Sequence, residues 1–171
     1  MEIRHKVYLG LGSNLGNSKQ RLLDAIQLIS EEIGVVTKKS SFYTTAALNP
    51  ADQPEMVQPD YVNMVVLCES RLSPSDISKT VHAIEDKLGL NREKKVFWGP
   101  REIDIDILAI DDLLISEPGL KVPHPGIESR DFVLCPLAEI TPEFIHPLSK
   151  TGVSDLINQL KERFIKSVDL V

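Results

Sequence analysis

The sequence predicts an α+β domain of the βαββαβ type, with two helices on one face of a four-stranded sheet. Three observations predict it. Apolar residues alternate with period two in four stretches and recur at helical spacing in two others, in the order strand, helix, strand, strand, helix, strand. Each strand has one apolar parity, and these parities match the faces that the two helices must bury. The opposite parity collects Gly10, Gly12, Tyr61, Asn63, Asp104 and Asp106, which are not core residues by type. That convergence of glycine, amide, phenol and carboxylate on one face is the main pointer to a site, on a ferredoxin-like core.

The first strand is Val7-Tyr8-Leu9-Gly10-Leu11-Gly12, with Val7, Leu9 and Leu11 on the apolar face. Gly10 and Gly12 leave the other face bare, for a ligand or for another part of the chain. Ser13-Asn14-Leu15-Gly16-Asn17 is turn chemistry. Its G-x-G-x-x-x-G spacing is one residue too long for the dinucleotide fingerprint, and no P-loop Gly-Lys-Ser/Thr occurs. Asn17 or Ser18 caps a helix running to about Ile33, with Leu22, Ile26, Ile29 and Ile33 as its stripe. Val35 to Thr45 reads as the second strand. The span from Ala46 to Pro59 is a long proline-rich loop, of a length that is often functional, although Glu55–Pro59 also suits a disordered insertion. Tyr61 to Glu69 is the third strand, with Val62, Met64, Val66 and Cys68 inward. Ser73 caps the second helix, Pro74 takes its first position, and Ile77, Val81, Ile84 and Leu88 form its stripe before Gly89. A basic loop, Asn91 to Phe97, leads to the last core strand.

That last strand belongs to Trp98-Gly99-Pro100-Arg101-Glu102-Ile103-Asp104-Ile105-Asp106-Ile107-Leu108. Read as extended chain, it points Ile103, Ile105, Ile107 and Ala109 inward and Asp104 and Asp106 outward, their Cα atoms about 6.6 Å apart. Two bare carboxylates this close repel by about 4 kcal/mol at about 4 Å separation in a medium of effective dielectric about 20. A cation between them is therefore expected. Arg101 has the opposite parity, so a pair of hard metal ions is the better candidate, and oxygen ligands at this spacing suit Mg²⁺ beside substrate phosphates. An isolated Asp-x-Asp is otherwise a solvated polar face; Trp-Gly-Pro-Arg ahead of it favours the metal.

Beyond the core, Leu113-Leu114-Ile115 reads as a short hairpin strand and Val122-Pro123-His124-Pro125-Gly126 as rigid extended chain. Val133–Leu137 is apolar and buried, and an amphipathic helix near Ser154–Phe164 uses Leu156, Ile157, Leu160 and Phe164. His124 is open between a loop histidine and a ligand contact, and His146 reads as a capping residue.

With 171 residues, 42% hydrophobic and 26% charged, the chain is expected to form one domain over 1–171 with a real core. A formal charge of −6 argues against a nucleic-acid backbone as partner, and it requires local cations or metal for a polyanionic substrate. Cys68 and Cys135 sit in apolar runs and read as buried thiols. Residues 1–6 show no signal-peptide core, and no apolar run approaches membrane-spanning length, so a cytoplasmic protein without a membrane partner is expected.

Four blocks resemble the 6-hydroxymethyl-7,8-dihydropterin pyrophosphokinases: Gly10 through Gly16; Ser41-Phe42-Tyr43 with Asp52-Gln53-Pro54 and Tyr61-Val62-Asn63; Trp98 through Leu108; and Val122-Pro123-His124 through Arg130-Asp131-Phe132. They span nearly the whole chain in the family's order. The resemblance implies pyrophosphate transfer from ATP to the pterin hydroxymethyl group, with two Mg²⁺ ions on Asp104 and Asp106. It implies Arg101 as a catalytic arginine that contacts phosphate, Trp98 as a mobile-loop residue that closes over the nucleotide, His124 and Arg130 as phosphate-binding positions, and Ile107 and Lys121 beside the nucleotide. It implies a pterin site of Tyr61 and Phe132 as stacking rings, Asn63 reading the heterocycle edge, and backbone contacts at Thr45, Ala46 and Leu48. Gly89-Leu90-Asn91-Arg92 departs from the family's Gly-Arg-x-Arg, so Arg92, Lys94 and Lys95 are expected to supply the cation that Leu90 lacks. The expected partners are ATP and the pterin alcohol alone, and the expected state is a monomer. Two rival readings are another two-metal nucleotide-processing enzyme and a non-catalytic ligand-binding module. Tyr61, Asn63 and Phe132 favour a flat acceptor over the first, and Leu90 gives the second some footing.

Overall fold

A computed structural model describes residues 3–90, 93 and 99–171. The sheet runs β5 (Asp104–Ile110), β1 (His5–Ser13), β4 (Tyr61–Ser70), β3 (Phe42–Thr45) and β8 (Ile165–Asp169), with β2 (Gly34–Lys39) also on β4. Every pairing in it is antiparallel. The first and last core strands thus lie side by side at one end, as the ferredoxin-like reading requires.

Helix α1 (Ser18–Glu32) starts where the Asn17 side chain accepts from the Gln20 N–H, and α2 (Pro74–Lys87) where Ser73 accepts from the Asp76 N–H behind Pro74. Gly89, at φ 93°, ends α2 in the left-handed region. Both helices lie on one face of the sheet. There Leu22, Ile29, Ile77 and Ile84 pack on Val7, Leu9, Leu11, Met64, Val66, Ile103 and Ile105, all nearly or fully buried.

The opposite face is not open along its whole length. Residues 133–137 belong to helix α3 (Asp131–Ile140), which with α4 (Val153–Asn158) buries Tyr8, Val65, Leu67, Leu108 and Ala109 in a second core. The polar end of that face, with Gly12, Tyr61, Asn63, Asp104 and Asp106, is covered by no helix among the described residues. The site occupies that end.

Several sequence expectations need correction. The 35–45 strand breaks at Ser40-Ser41, where the Ser40 hydroxyl accepts from the Val65 N–H and the Ser40 N–H donates to the Val65 carbonyl. The last core strand begins at Asp104 rather than at Trp98. A bulge leaves Leu108 unpaired between Ile107, opposite Leu9, and Ala109, opposite Tyr8. Ala109 therefore lies in the second core, not with Ile103, Ile105 and Ile107. The hairpin is β6 (Ile115–Glu117) with β7 (Leu120–Val122), because Asp111 and Leu113 are used in the turn that leaves β5. The C-terminal helix stops at Asn158, and strand β8, which local periodicity does not show, follows. Among the described residues no helix is long and apolar enough to cross a membrane.

Candidate active site

The site is built on the uncovered end of β1, β4 and β5. Asp104 pairs across the ladder with Gly12, and Asp106 with Gly10. Gly12 in turn faces Asn63 of β4. The glycines make room for neighbouring side chains: a Cβ on Gly12 would come within 2.6 Å of the Asn63 Oδ1, and one on Gly10 would touch Leu108 at 3.4 Å. Asn63 donates through Nδ2 to the Thr45 hydroxyl at 2.8 Å, and the Tyr61 hydroxyl donates to the Gly99 carbonyl at 2.9 Å.

The acidic pair is asymmetric. Arg101 Nη1 donates to Asp104 at 2.9 Å. The parity argument against Arg101 fails because the strand starts only at Asp104, so Arg101 lies in irregular chain and is free to fold back. Among the described residues Asp106 has no such arginine partner. Burial and then the Asp104 carboxylate push its pKa up to about 7, against the opposing pull of Arg130. His124 Nε2 lies 3.8 Å from Asp106. Burial and the nearby Arg130 guanidinium hold His124 down to about 4, so it is neutral at pH 7. Its Nδ1 accepts from the Gly126 N–H at 2.9 Å, which leaves the proton on Nε2, toward Asp106. The bulge positions this histidine: the His124 N–H takes the Leu108 carbonyl at 2.8 Å.

Two cavities meet at Asp106. One, of about 100 Å³, is lined by Thr45, Ala46, Leu48, Tyr61, Asn63 and Phe132, together with Gly12, Arg101, Asp104, Asp106 and Arg130. The other, of about 230 Å³, is lined by Ile107, Lys121, His124 and Asp106, with Ser78 and His82 of α2. A third, of about 680 Å³, runs from His124, Arg130 and Leu48 to the 159–164 segment. All six residues expected to hold the pterin thus share one cavity with the acidic pair. Ile107, Lys121 and His124 share the other. Arg130, expected beside the nucleotide, instead faces the first and third cavities. It precedes α3 and lies over the Phe132 ring at 5.9 Å, in the space that Gly126 leaves free. Arg92, Lys94, Lys95 and Trp98 lie outside the described residues. Leu90 is 7% exposed and belongs to the α1/α2 core, where an arginine would be buried.

Sequence reasoning missed Asn14. It is 5% exposed and accepts from the Arg101 N–H at 2.8 Å. Its own N–H donates to the Arg101 carbonyl, and its Nδ2 donates to the Pro59 carbonyl and the Gln58 side chain. One amide thus ties the first turn, the 46–60 loop and the arginine together. It also missed Glu85, buried under the strand, which accepts the Ile105 N–H at 2.8 Å. In sequence these are a turn asparagine and a helix glutamate; their partners lie 87 and 20 residues away.

A ferredoxin-like sheet whose end places Asp104 in an aromatic, amide-lined pocket and Asp106 in the wall that this pocket shares with a second one suits an enzyme that moves a group between two small ligands. Comparison with known proteins names the family. The family model described as 7,8-dihydro-6-hydroxymethylpterin-pyrophosphokinase (HPPK) matches residues 8–142. Proteins named 2-amino-4-hydroxy-6-hydroxymethyldihydropteridine pyrophosphokinase are similar in Synechocystis sp., at 38% identity over 91% of this chain and 76% of the relative, and in Aquifex aeolicus, at 40% over 87% and 88%. The fold is shared with Plasmodium falciparum HPPK-DHPS, at TM-score 0.70 and 15% identity over 93% of this chain, which spans 45% of that one. The chain belongs to the 7,8-dihydro-6-hydroxymethylpterin-pyrophosphokinase family.

Proposed function

We propose that this chain transfers pyrophosphate from ATP to the hydroxymethyl group of 6-hydroxymethyl-7,8-dihydropterin, releasing AMP, in folate biosynthesis. The observation that carries this is the shared wall. Asp106 borders both the pocket of Tyr61, Asn63 and Phe132 and the pocket of Ile107, Lys121 and His124. An acceptor hydroxyl in the first pocket and a phosphate chain entering from the second would meet there.

The acceptor oxygen forms a bond to the β-phosphorus. The bond from that phosphorus to the oxygen bridging the α-phosphate breaks, AMP keeps that oxygen, and the hydroxyl proton is released. No protein nucleophile is needed, so catalysis is positioning and charge stabilisation. Tyr61 and Phe132 stack the flat ring, and Asn63 reads its amide-like edge through both amide atoms. Ile107 and Lys121 hold the nucleotide. His124 offers its Nε2 proton to phosphate oxygens, and Arg130, which lines the acceptor pocket and the third cavity, offers its guanidinium to the phosphate that reaches the acceptor. The Arg101 Nε is buried without a hydrogen-bond partner among the described residues, as a donor reserved for an anion would be. Arg92, Lys94, Lys95 and Trp98 complete the phosphate side.

The residues present fit Mg²⁺. Asp104 and Asp106 are hard oxygen donors two residues apart on one face of β5, where both line the acceptor pocket and Asp106 also borders the second pocket. No group of three or more His, Cys, Asp or Glu suited to a metal occurs among the described residues, which leaves substrate phosphates and water to complete the shell, as is usual for Mg²⁺. Two Mg²⁺ bound by this pair would neutralise the phosphate chain and acidify the acceptor hydroxyl. The chain is proposed to work as a single domain over 1–171, as a cytoplasmic monomer without nucleic-acid or membrane partners.

The test is product analysis with ATP, Mg²⁺ and the pterin alcohol. AMP should form in step with the pyrophosphorylated pterin, and only when both substrates are present. AMP release independent of the pterin, or no turnover, would overturn the assignment.

A further inference from the structure

Residues 164–166 contact the Thr45-Ala46 and Phe132 sides of the acceptor pocket and the residue before Tyr61, and none of them lines the pocket itself. Asp131, the first residue of α3, is 1% exposed, and its Oδ2 accepts from the N–H groups of Phe164 (2.7 Å) and Ile165 (3.0 Å). The Phe164 carbonyl accepts from the Ala46 N–H at 2.8 Å. The Phe164 ring meets the Phe132 ring edge-on, centroids 5.9 Å apart. Ile165 pairs with Thr45 at a register shift in the β3–β8 ladder. Lys166 grips both carboxylate oxygens of Asp60, at 2.8 and 2.9 Å, one residue before Tyr61.

Thr45-Ala46, Asp60-Tyr61 and Phe132 come from three separate parts of the chain, and this short segment is fastened to Thr45 and Ala46, to Asp60 and to the Phe132 ring. None of its residues lines the cavity of Ile107 and Lys121. We propose that the 164–166 segment is a strap that sets the spacing of the acceptor pocket, and that Asp131 is the positioning residue that locks it in place. Phe164 also lines the third cavity beside His124 and Arg130, but the strap makes no contact with the cavity of Ile107 and Lys121, so it acts first on acceptor recognition. A buried carboxylate holding two backbone donors is suited to this, because the paired N–H groups fix both the direction of the chain and the rotamer of Phe164. The inference rests on the functional reading above for the identity of the acceptor, but not for the existence of the strap.

The experiment has two readouts on the full chain. The first is calorimetric binding of a non-hydrolysable ATP analogue, and then of the pterin alcohol to the analogue-saturated protein. Asp131→Ala should weaken pterin binding by about tenfold or more, with analogue affinity changed by less than about twofold. Asp131→Asn, which keeps an acceptor oxygen, should recover most of the loss. Phe164→Leu leaves the backbone clasp in place and should weaken pterin alone, which keeps the test sound if Asp131→Ala folds poorly. Equal loss for both ligands, or unchanged pterin binding in Asp131→Ala and Phe164→Leu, would overturn the proposal. The second readout is amide exchange at Ala46 without any ligand. It should accelerate by about tenfold or more in Asp131→Ala and stay protected in Asp131→Asn. Accelerated exchange in a protein whose wild type binds no pterin would uphold the strap and refute the functional reading. Unchanged exchange would refute the strap itself.

Discussion

Replacing Asn14 by alanine tests how the arginine of the site is held. The side chain accepts the Arg101 N–H and donates to the Pro59 carbonyl, and at 5% exposure water does not readily replace it. Pro59 is exposed, so water can take its carbonyl, and the buried Arg101 N–H is the group left unpaired, at a cost of about 1–3 kcal/mol. In a chain of this length each kcal/mol moves the melting point by about 2–4 °C, so a fall of about 2–12 °C is expected. Function should suffer beyond stability. The Arg101 guanidinium reaches Asp104 from irregular chain, and Asn14 holds that chain from both sides of the Arg101 residue, at its N–H and its carbonyl. A displacement of about 1 Å at such a group costs about 10²-fold in rate. Thermal unfolding and initial-rate assays, the latter well below the variant's melting point, measure the two effects separately. A variant that melts lower but turns over like wild type would show that Asn14 supports the fold and not the position of Arg101. An unchanged melting point would refute the hydrogen-bond argument altogether.

Asp104→Ala should lower turnover by about 10²–10³ or more, since it removes the proposed metal donor that pairs with Arg101; wild-type rates in Mg²⁺ would refute a metal role for Asp104. Asn63→Ala should weaken pterin by about 10- to 100-fold, from an unpaired edge worth about 1–3 kcal/mol, while ATP affinity holds; equal loss for both ligands would argue against the two-pocket division. Asp106 carries a pH signature. With its pKa raised from 3.8 to about 7, the native state keeps a proton that the unfolded chain releases, so stability of the metal-free protein falls as pH rises through that window. Asp106→Asn should therefore melt level with wild type near pH 4 and above it at pH 8 without Mg²⁺, and a difference independent of pH would refute the burial argument. Leu90→Arg should destabilise by several degrees and give no gain in turnover, because position 90 faces the α1/α2 core; a faster enzyme would show that the guanidinium reaches the site.

Local pattern was enough to read the βαββαβ order, because period-two and period-3.6 burial are properties of neighbouring residues. The same alternation placed Asp104, Asp106, Tyr61 and Asn63 on one face, and the motif blocks indicated the family. Local pattern could not show which part of that face is covered. Residues 133–137 are apolar enough for strand or helix, and only their packing on Val65, Leu67 and Leu108 makes them the helix that leaves the acidic end exposed. The bulge at Leu108 reverses the parity of Ala109 and frees the carbonyl that seats His124, and a bulge has no periodic signal. The same holds for contacts across long sequence separations. Asn14 with Arg101, and Asp131 with Phe164, are ordinary residues in sequence, and they shape the pockets only because the folded sheet brings distant backbone donors within hydrogen-bonding distance of a buried amide or carboxylate.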